Sequence, residues 1–382
     1  MLVPGEGQGE GGGQSGGGGS EEGGSGGDAP PDDTSGDFTK YITFTTSGYQ
    51  GSAALADFPV LVRLSTAISG FSYADFGSAT NLVFKDSEGG VLPCEIESWN
   101  PAGVSLVWVK VPSVTNTSRF TMHYGGATSA AGDSASTWTA SGYVGVWHMG
   151  EAEGDVADAT GHGLTARQMG TDTTAQVATD GAIGGARVNS TSSSKSYFEV
   201  ADAALLDVGG TFTVSGWYRL SAQNGSEAAI VGRQWGWFST DGWMFELAKG
   251  SATSFYARGA SNGSNSMNAS GEMPSALNAW VHFALVYEGA GVTVYANGAP
   301  VATSGAINAA KDNNIALTLG YGNTRSYLYG ALDEFRLKSG AASADWVKAE
   351  YDQAGGMFLA NGGVQSSEVV PAQTQGVGFF VD

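Results

Sequence analysis

The residues best equipped for chemistry are carboxylates and indoles, and each set is concentrated in one place. Glu151, Glu153, Asp155 and Asp158 fall within eight residues of glycine-rich sequence. Oxygen donors that close together on a loop suit calcium, which gathers six to eight oxygens from carboxylates and carbonyls. The run Gly232-Arg-Gln-Trp-Gly-Trp-Phe-Ser-Thr-Asp-Gly-Trp243 brings Trp235, Trp237 and Trp243 together with an arginine and an aspartate. Indole faces stack on the apolar faces of sugar rings while polar groups orient the hydroxyls, so this run is the candidate ligand site. Tyr256 and Arg258 join it from the following strand. Bond-breaking groups are harder to find. There is no His-Glu-x-x-His, no Gly-x-Ser-x-Gly and no phosphate-cradling loop. Glu95 and Glu97 share one face of a strand, which reads as a solvated face rather than a catalytic pair. Asp333 and Glu334 are adjacent, so a regular strand points them to opposite faces and denies them a joint role. His123, His148, His162 and His282 read as structural, and the lone Cys94 as a small buried apolar side chain. The expectation is recognition, not catalysis.

Strands must position these groups. Glycine supplies 60 of 382 residues and charged residues only 14%, the composition of turns and half-buried strands. Residues 1–37 are acidic, glycine-rich and almost without apolar side chains, and read as a disordered tail. Across 38–126, short β-rich runs recur at intervals of roughly ten residues, the rhythm of a small β-sandwich. Residues 127–140 read as a linker. Ten or more further runs across 141–357 make a larger two-sheet sandwich, with a hairpin turn at Asn297-Gly298. Only Ser343-Ala-Asp-Trp-Val-Lys-Ala-Glu-Tyr351 reads as helix, with Ser343 as its N-cap. Residues 358–382 are a linker or terminal strand, the apolar run 377–381 having no local partner. The fold class is therefore all-β, with one short C-terminal helix. A formal charge of −20, from 17 basic and 37 acidic residues, argues against nucleic acid as a partner. No apolar run is long enough for membrane insertion.

Five motifs occur in order along the second block. They are Val144-Gly-Val-Trp-His-Met-Gly-Glu151 with Asp158-Ala-Thr-Gly-His-Gly163, then Phe212-Thr-Val-Ser-Gly-Trp217, Trp280-Val-His282 with Val294-Tyr-Ala-Asn-Gly298, Leu332-Asp-Glu-Phe-Arg336, and Ser343-Ala-Asp-Trp-Val347. Together they resemble the laminin-G-like (concanavalin A-like lectin/glucanase) jelly roll of secreted prokaryotic proteins. The first block carries Ala56-Asp-Phe-Pro-Val-Leu-Val-Arg63, Tyr73-Ala-Asp-Phe76, Leu92-Pro-Cys-Glu-Ile-Glu-Ser-Trp-Asn100, Val107-Trp-Val-Lys-Val-Pro112 and Met122-His-Tyr-Gly125. It resembles the uncharacterised β-domain that commonly precedes such modules.

The resemblance implies an extracellular or cell-surface protein of adhesion or glycan binding, with polysaccharide or glycoprotein as partner. It places Asp333 on a closing strand beside the opening one, so that Asp158 and Asp333, with Glu151 and Asp155, would hold one Ca2+. The alternative is turn-capping by Asp158 and, for Asp333, a backbone hydrogen bond or an ion pair with Arg336. It puts Trp243, Trp147, Trp217 and Trp280 in the core and leaves Trp235 and Trp237 on a loop. The fold's glucanases space their carboxylates Glu-x-Asp-x-x-Glu, which this chain lacks. Two rival readings remain: a self-assembling subunit of a surface filament or sheath that exchanges its terminal strand, and a glycoside hydrolase on the same fold.

Overall fold

Strand Lys40–Thr45 buries Ile42 and Phe44 and leaves Tyr41 and Thr43 half-buried, and this period of two organises the whole first block. The computed structural model describes residues 38–366 except 80, 127–132, 172–176, 179, 191–194, 224, 234–241, 262–263, 290, 306–313 and 323–325. The acidic tail, the 377–381 run, Trp235 and Trp237 lie outside the described residues.

In the first block a five-stranded antiparallel sheet runs Ala360–Ser366, Lys40–Thr45, Arg119–Tyr124, Leu82–Asp86, Val91–Leu92. A three-stranded sheet runs Leu55–Leu64, Ser105–Val114, Cys94–Ser98. Val60 pairs with Val109 and Val62 with Val107, and these valines join the core that holds Ile42, Phe44, Phe84, Phe120 and Met122. The opposite face of the three-stranded sheet carries Leu61, Leu106, Trp108, Glu95 and Glu97. Residues after 357 thus return to the first block, where Ala360–Ser366 becomes its edge strand.

The larger block stacks two antiparallel sheets. One runs Val177–Ala178, Ala186–Val188, Gly330–Ser339, Phe212–Leu220, Val281–Glu288, Gly291–Ala296, Ala299–Gly305, with Tyr143–Trp147 also bonded to Gly330–Ser339. The other has seven strands, Ser264–Glu272, Ser254–Ser261, Gly242–Leu247, Ala228–Arg233, Leu317–Leu319, Ser196–Val200, Ala166–Gly170. Phe283 and Phe335 from the first sheet meet Phe245 from the second, the Phe245 and Phe283 rings stacking at 5.1 Å. The hairpin turn has Asn297 at φ 49° and Gly298 at φ 78°, the two positive values a type I′ turn requires.

The two blocks are packed together. The outward face of the eight-stranded sheet, with Ala284, Val286 and Tyr295, shares one core cluster with Leu61, Trp108 and Trp138 of the first block. Within the segment that reads as a linker, Ser134–Thr139 forms helix α1, capped by the Asp133 side chain, and buries Trp138 completely. A second helix, α2 (Ala344–Ala354), starts at the Ser343 cap and lies across both blocks. Its Gln353 satisfies the free edge of Leu55–Leu64, accepting from Leu61 N–H (2.6 Å) and donating to Pro59 O (3.2 Å). Arg63 donates to the Gln353 and Ala354 carbonyls at the helix C-terminus. Gln353→Ala strands one donor and one acceptor in a buried site, and is expected to cost about 1–3 kcal/mol, read from the urea midpoint at unchanged m-value.

No helix among the described residues is long and apolar enough to cross a membrane.

Candidate functional site

The seven-stranded sheet turns one face inward, through Phe198, Val200, Phe245, Leu247, Phe255 and Ala257, and the alternate residues outward. On that outward face Tyr197 stacks on Tyr321 with ring centroids 4.4 Å apart, and Tyr321 lies 4.7 Å from Tyr327. All three rings are half-buried, so each keeps some solvent contact. Lys195 sits beside them, its Nζ 4.1 Å from the Tyr329 ring centroid and hydrogen-bonded to the Tyr329 hydroxyl. The short strands Tyr321–Gly322 and Ser326–Tyr327 lie against the sheet so closely that a Cβ on Gly322 would meet Ala229 Cβ at 2.5 Å and Met244 Sδ at 2.9 Å. Only glycine lets this tyrosine-bearing hairpin sit down on the sheet.

Farther along the same face, Arg258 donates from Nε to Glu246 Oε1 at 2.5 Å and lies 4.6 Å over the Tyr256 ring. Glu246 is 1% and Arg258 4% exposed. Burial pushes the Glu246 carboxyl up, with Arg258 pulling partly the other way. The two described members of the sequence-derived ligand site, Tyr256 and Arg258, are therefore brought together. Trp243 packs against Phe212 between the sheets, and Trp147 and Trp217 are buried. Trp280 departs from the expectation of a core residue. It is half-buried at the surface beneath the Arg219 guanidinium, 4.8 Å away, and donates to Asp180 O. The tyrosine group was missed because its members are distant in sequence and meet only through strand pairing.

A second concentration of charge lies at the junction of the blocks. Strand Cys94–Ser98 turns Glu95 and Glu97 toward the larger block, so theirs is not the solvated face that the sequence suggested. Their side chains are 14% and 7% exposed. His148, just after Tyr143–Trp147, meets Glu95 Oε2 through Nε2 (3.1 Å) and Glu334 Oε1 through Nδ1 (2.7 Å). Glu334 is held from its other oxygen by Arg336 (2.6 Å), whose guanidinium lies over Trp108 and Trp138 at 4.6 and 5.0 Å. Trp108 Nε1 donates to Glu97 Oε2 (2.7 Å), and Trp138 Nε1 donates to Glu95.

A β-bulge makes this possible. Ser215 pairs with Arg336 and Trp217 with Asp333, one residue out of step, and the extra residue Glu334 has φ 50°. Leu332 and Phe335 stay in the core while Asp333, Glu334 and Arg336 all turn toward the junction, which corrects the expectation that adjacent Asp333 and Glu334 must diverge. Arg336 pairs with Glu334, not with Asp333.

Electrostatics follow from the packing. Burial opposes charge on His148, yet Glu334, Glu95 and Glu97 hold its pKa well above the usual imidazole range. Burial raises Glu97 to about 7, with Glu334 adding to the rise. Burial and the Glu334 charge push Asp333 far up. In Glu334, burial is outweighed by His148 and Arg336, and the carboxyl is held low. Cys94 is buried and its thiol is pushed up to about 12, in line with an unreactive apolar role.

The carboxylates expected to hold calcium each have another occupation. Asp158 accepts from Thr160 N (3.0 Å), Thr160 Oγ1 (2.7 Å) and Leu164 N (3.1 Å), which is turn-capping. Asp155 accepts from Gln168 N and Glu151 from Ala157 N. Asp333 is fully buried and accepts from Ile183 N (2.9 Å) through Oδ2. Among the described residues, the group of three whose ligand atoms lie within 4.8 Å of one another is Glu97, His148 and Glu334, and none of the four belongs to it.

Residues 191–348 match the family described as the concanavalin A-like lectin/glucanases superfamily. The larger block thus resembles a concanavalin A-like domain over these residues. Residues 78–155 match a domain of unknown function (DUF2341), so the order of the two blocks is the one the motifs suggested. The DUF2341 match includes Glu95, Glu97 and His148, whereas Glu334 and Arg336 belong to the concanavalin A-like match. Among curated proteins, none matches the chain.

Similar solved structures include the binding domain of Paraclostridial Mosquitocidal Protein 1, at TM-score 0.43 and 16% identity, covering 55% of this chain and 52% of that one. Domain 4 of AbnA, a GH43 extracellular arabinanase from Geobacillus stearothermophilus in complex with arabinotriose, has TM-score 0.43 and 20% identity, covering 56% of this chain and 98% of that one. The botulinum neurotoxin serotype G binding domain has TM-score 0.43 and 14% identity, covering 55% and 50%. The match thus spans about half the length of the two toxin chains.

Proposed function

We propose that this is a non-catalytic carbohydrate-recognition protein, placed outside the cell or on its surface, whose ligand lies on the outward face of the seven-stranded sheet. The observation that carries the reading is the half-buried tyrosine group Tyr197, Tyr321 and Tyr327, with half-buried Tyr256 farther along the same sheet face. Flat rings with hydroxyl tips supply stacking surface and hydrogen bonds at little entropic cost, as sugar rings require. The family description includes lectins, and the outward face of the eight-stranded sheet is taken up by the first block and α2. The other outward face keeps the rings of Tyr197, Tyr256, Tyr321 and Tyr327 half-exposed.

Hydrolysis fits this face poorly. A glycosidase needs two carboxyl groups free to flank the scissile bond. Glu246 is closed off and bound to Arg258.

Tyr321→Ala and Tyr197→Ala are each expected to weaken polysaccharide binding roughly tenfold, about 1.4 kcal/mol, in titrations against a panel of soluble polysaccharides. The melting temperature should change little, since both side chains reach the surface. Binding that survives both changes would place the ligand elsewhere, and release of reducing sugar by the wild-type protein would replace recognition with hydrolysis.

A further inference from the structure

We propose that Glu97, His148 and Glu334 bind a divalent transition-metal ion of the zinc class, which clamps the first block to the larger block. Three atoms converge: Glu97 Oε2, His148 Nδ1 and Glu334 Oε1 lie on one side of the junction, with Nδ1 2.7 Å from Glu334 Oε1 and 3.7 Å from Glu97 Oε2. An imidazole nitrogen with two carboxylate oxygens suits zinc and its neighbours rather than calcium, which takes oxygen alone.

The surroundings are those of ligands held in place from behind. His148 offers its other nitrogen to Glu95 Oε2 (3.1 Å), which orients the ring, and an ion at Nδ1 would replace the hydrogen bond that Nδ1 makes with Glu334 Oε1 (2.7 Å). Arg336 holds Glu334 by Oε2, so that Oε1 is the oxygen turned toward the histidine. Trp108 Nε1 holds Glu97. Gly184 closes over that carboxylate so tightly that a Cβ there would lie 3.0 Å from Glu97 Oε1.

One further observation points to a missing cation. Asp333 is 0% exposed and its Oδ1 has no hydrogen-bond partner, although it borders Glu334 and Glu97. The ion would tie Glu97 and His148, both in the DUF2341 match, to Glu334 of the closing strand Gly330–Ser339. This clamp is separate from the proposed carbohydrate face and does not depend on it.

The test uses the full chain, dialysed against chelator and then titrated with Zn2+, Co2+ or Ca2+ alone. A bound ion stabilises the folded state by mass action, so saturating Zn2+ should raise the melting temperature by at least about 3 °C, and Ca2+ should not. Co2+ should show the visible ligand-field bands of a low-coordinate nitrogen–oxygen site, a readout that does not depend on stability. Glu97→Gln, which keeps the bond from Trp108 but removes a ligand charge, should abolish or weaken the Zn2+ shift at least tenfold in affinity, and His148→Gln should abolish the Co2+ bands. Absence of both the shift and the bands in wild type would overturn the proposal and leave a proton-bridged ion-pair network in its place. A shift that persists in both variants would overturn it equally, by locating the ion elsewhere.

Discussion

Arg336→Met is expected to lower the stability of the chelator-treated protein by about 3–5 kcal/mol, the usual cost of leaving one partner of a buried ion pair behind. The variant keeps a long apolar side chain against Trp108 and Trp138, so little packing is lost. What it strands is Glu334, which is 2% exposed and would retain only His148 as a cationic neighbour at hydrogen-bond distance. Glu350, 3.9 Å from the guanidinium, loses a second charge partner. The companion variant Arg336→Met/Glu334→Gln removes both charges and should recover much of the loss, because a neutral pair carries no uncompensated charge. Denaturant unfolding of the four proteins of this cycle reads the result directly. A single variant within 1 kcal/mol of wild type would show that water reaches the junction and screens it.

His282→Gln should flatten the acid limb of the stability curve. In the folded protein burial, with the Arg336 charge nearby, pushes the His282 pKa down to about 3. The unfolded chain takes up a proton near pH ~6.5. Between those values the unfolded state binds one proton more, so this group's contribution falls as pH falls, by about 1.4 kcal/mol per pH unit. The groups facing it are Arg336 on the closing strand, Glu350 and Tyr351 on α2, and Trp217 on the neighbouring strand Phe212–Leu220. Glu97 acts in the opposite sense between its ordinary value and about 7, since there the folded state holds the extra proton. The wild-type curve alone therefore mixes these two with the other shifted groups, His148 and Asp333 among them, and the difference between wild type and variant isolates His282. That difference should be flat above pH 7 and should shift in favour of the variant as the pH is lowered through 6. Superimposable curves from pH 7 to 5 would mean that folded His282 charges freely against Glu350.

Strand-forming segments with apolar alternation were legible in the sequence, as Lys40–Thr45 and Phe212–Leu220 show, and so was the Asn297-Gly298 turn. Ser264–Glu272 was not, because its serines, asparagines and glycine carry no period of two that hydrophobicity could reveal. Helix α1 was hidden for a different reason: a six-residue helix of small residues offers one tryptophan, and one residue has no periodicity. At the junction the residue types were visible and the geometry was not. Glu95 and Glu97, His148, Glu334 and Arg336 are charged or ionisable residues in or beside otherwise apolar strands, and that mismatch was the available signal. Alternation alone sends Asp333 and Glu334 apart, and only pairing with Phe212–Leu220 exposes the extra residue that brings them together. The tyrosine group on the outer sheet was beyond reach for the same reason, since Tyr197 and Tyr321 meet across strands separated by most of the domain.

The return of Ala360–Ser366 to the edge beside Lys40–Thr45 has a mechanical consequence. Lys40 pairs with Ser366 and Thr45 with Ala360, so residues 40 and 366 leave this pair of strands at the same end. A tension applied through those two points loads the ladder one rung at a time, like a zipper, instead of shearing all its rungs together. The first event under load is then the peeling of one edge strand, at low force, while both sandwiches and the junction between them stay intact.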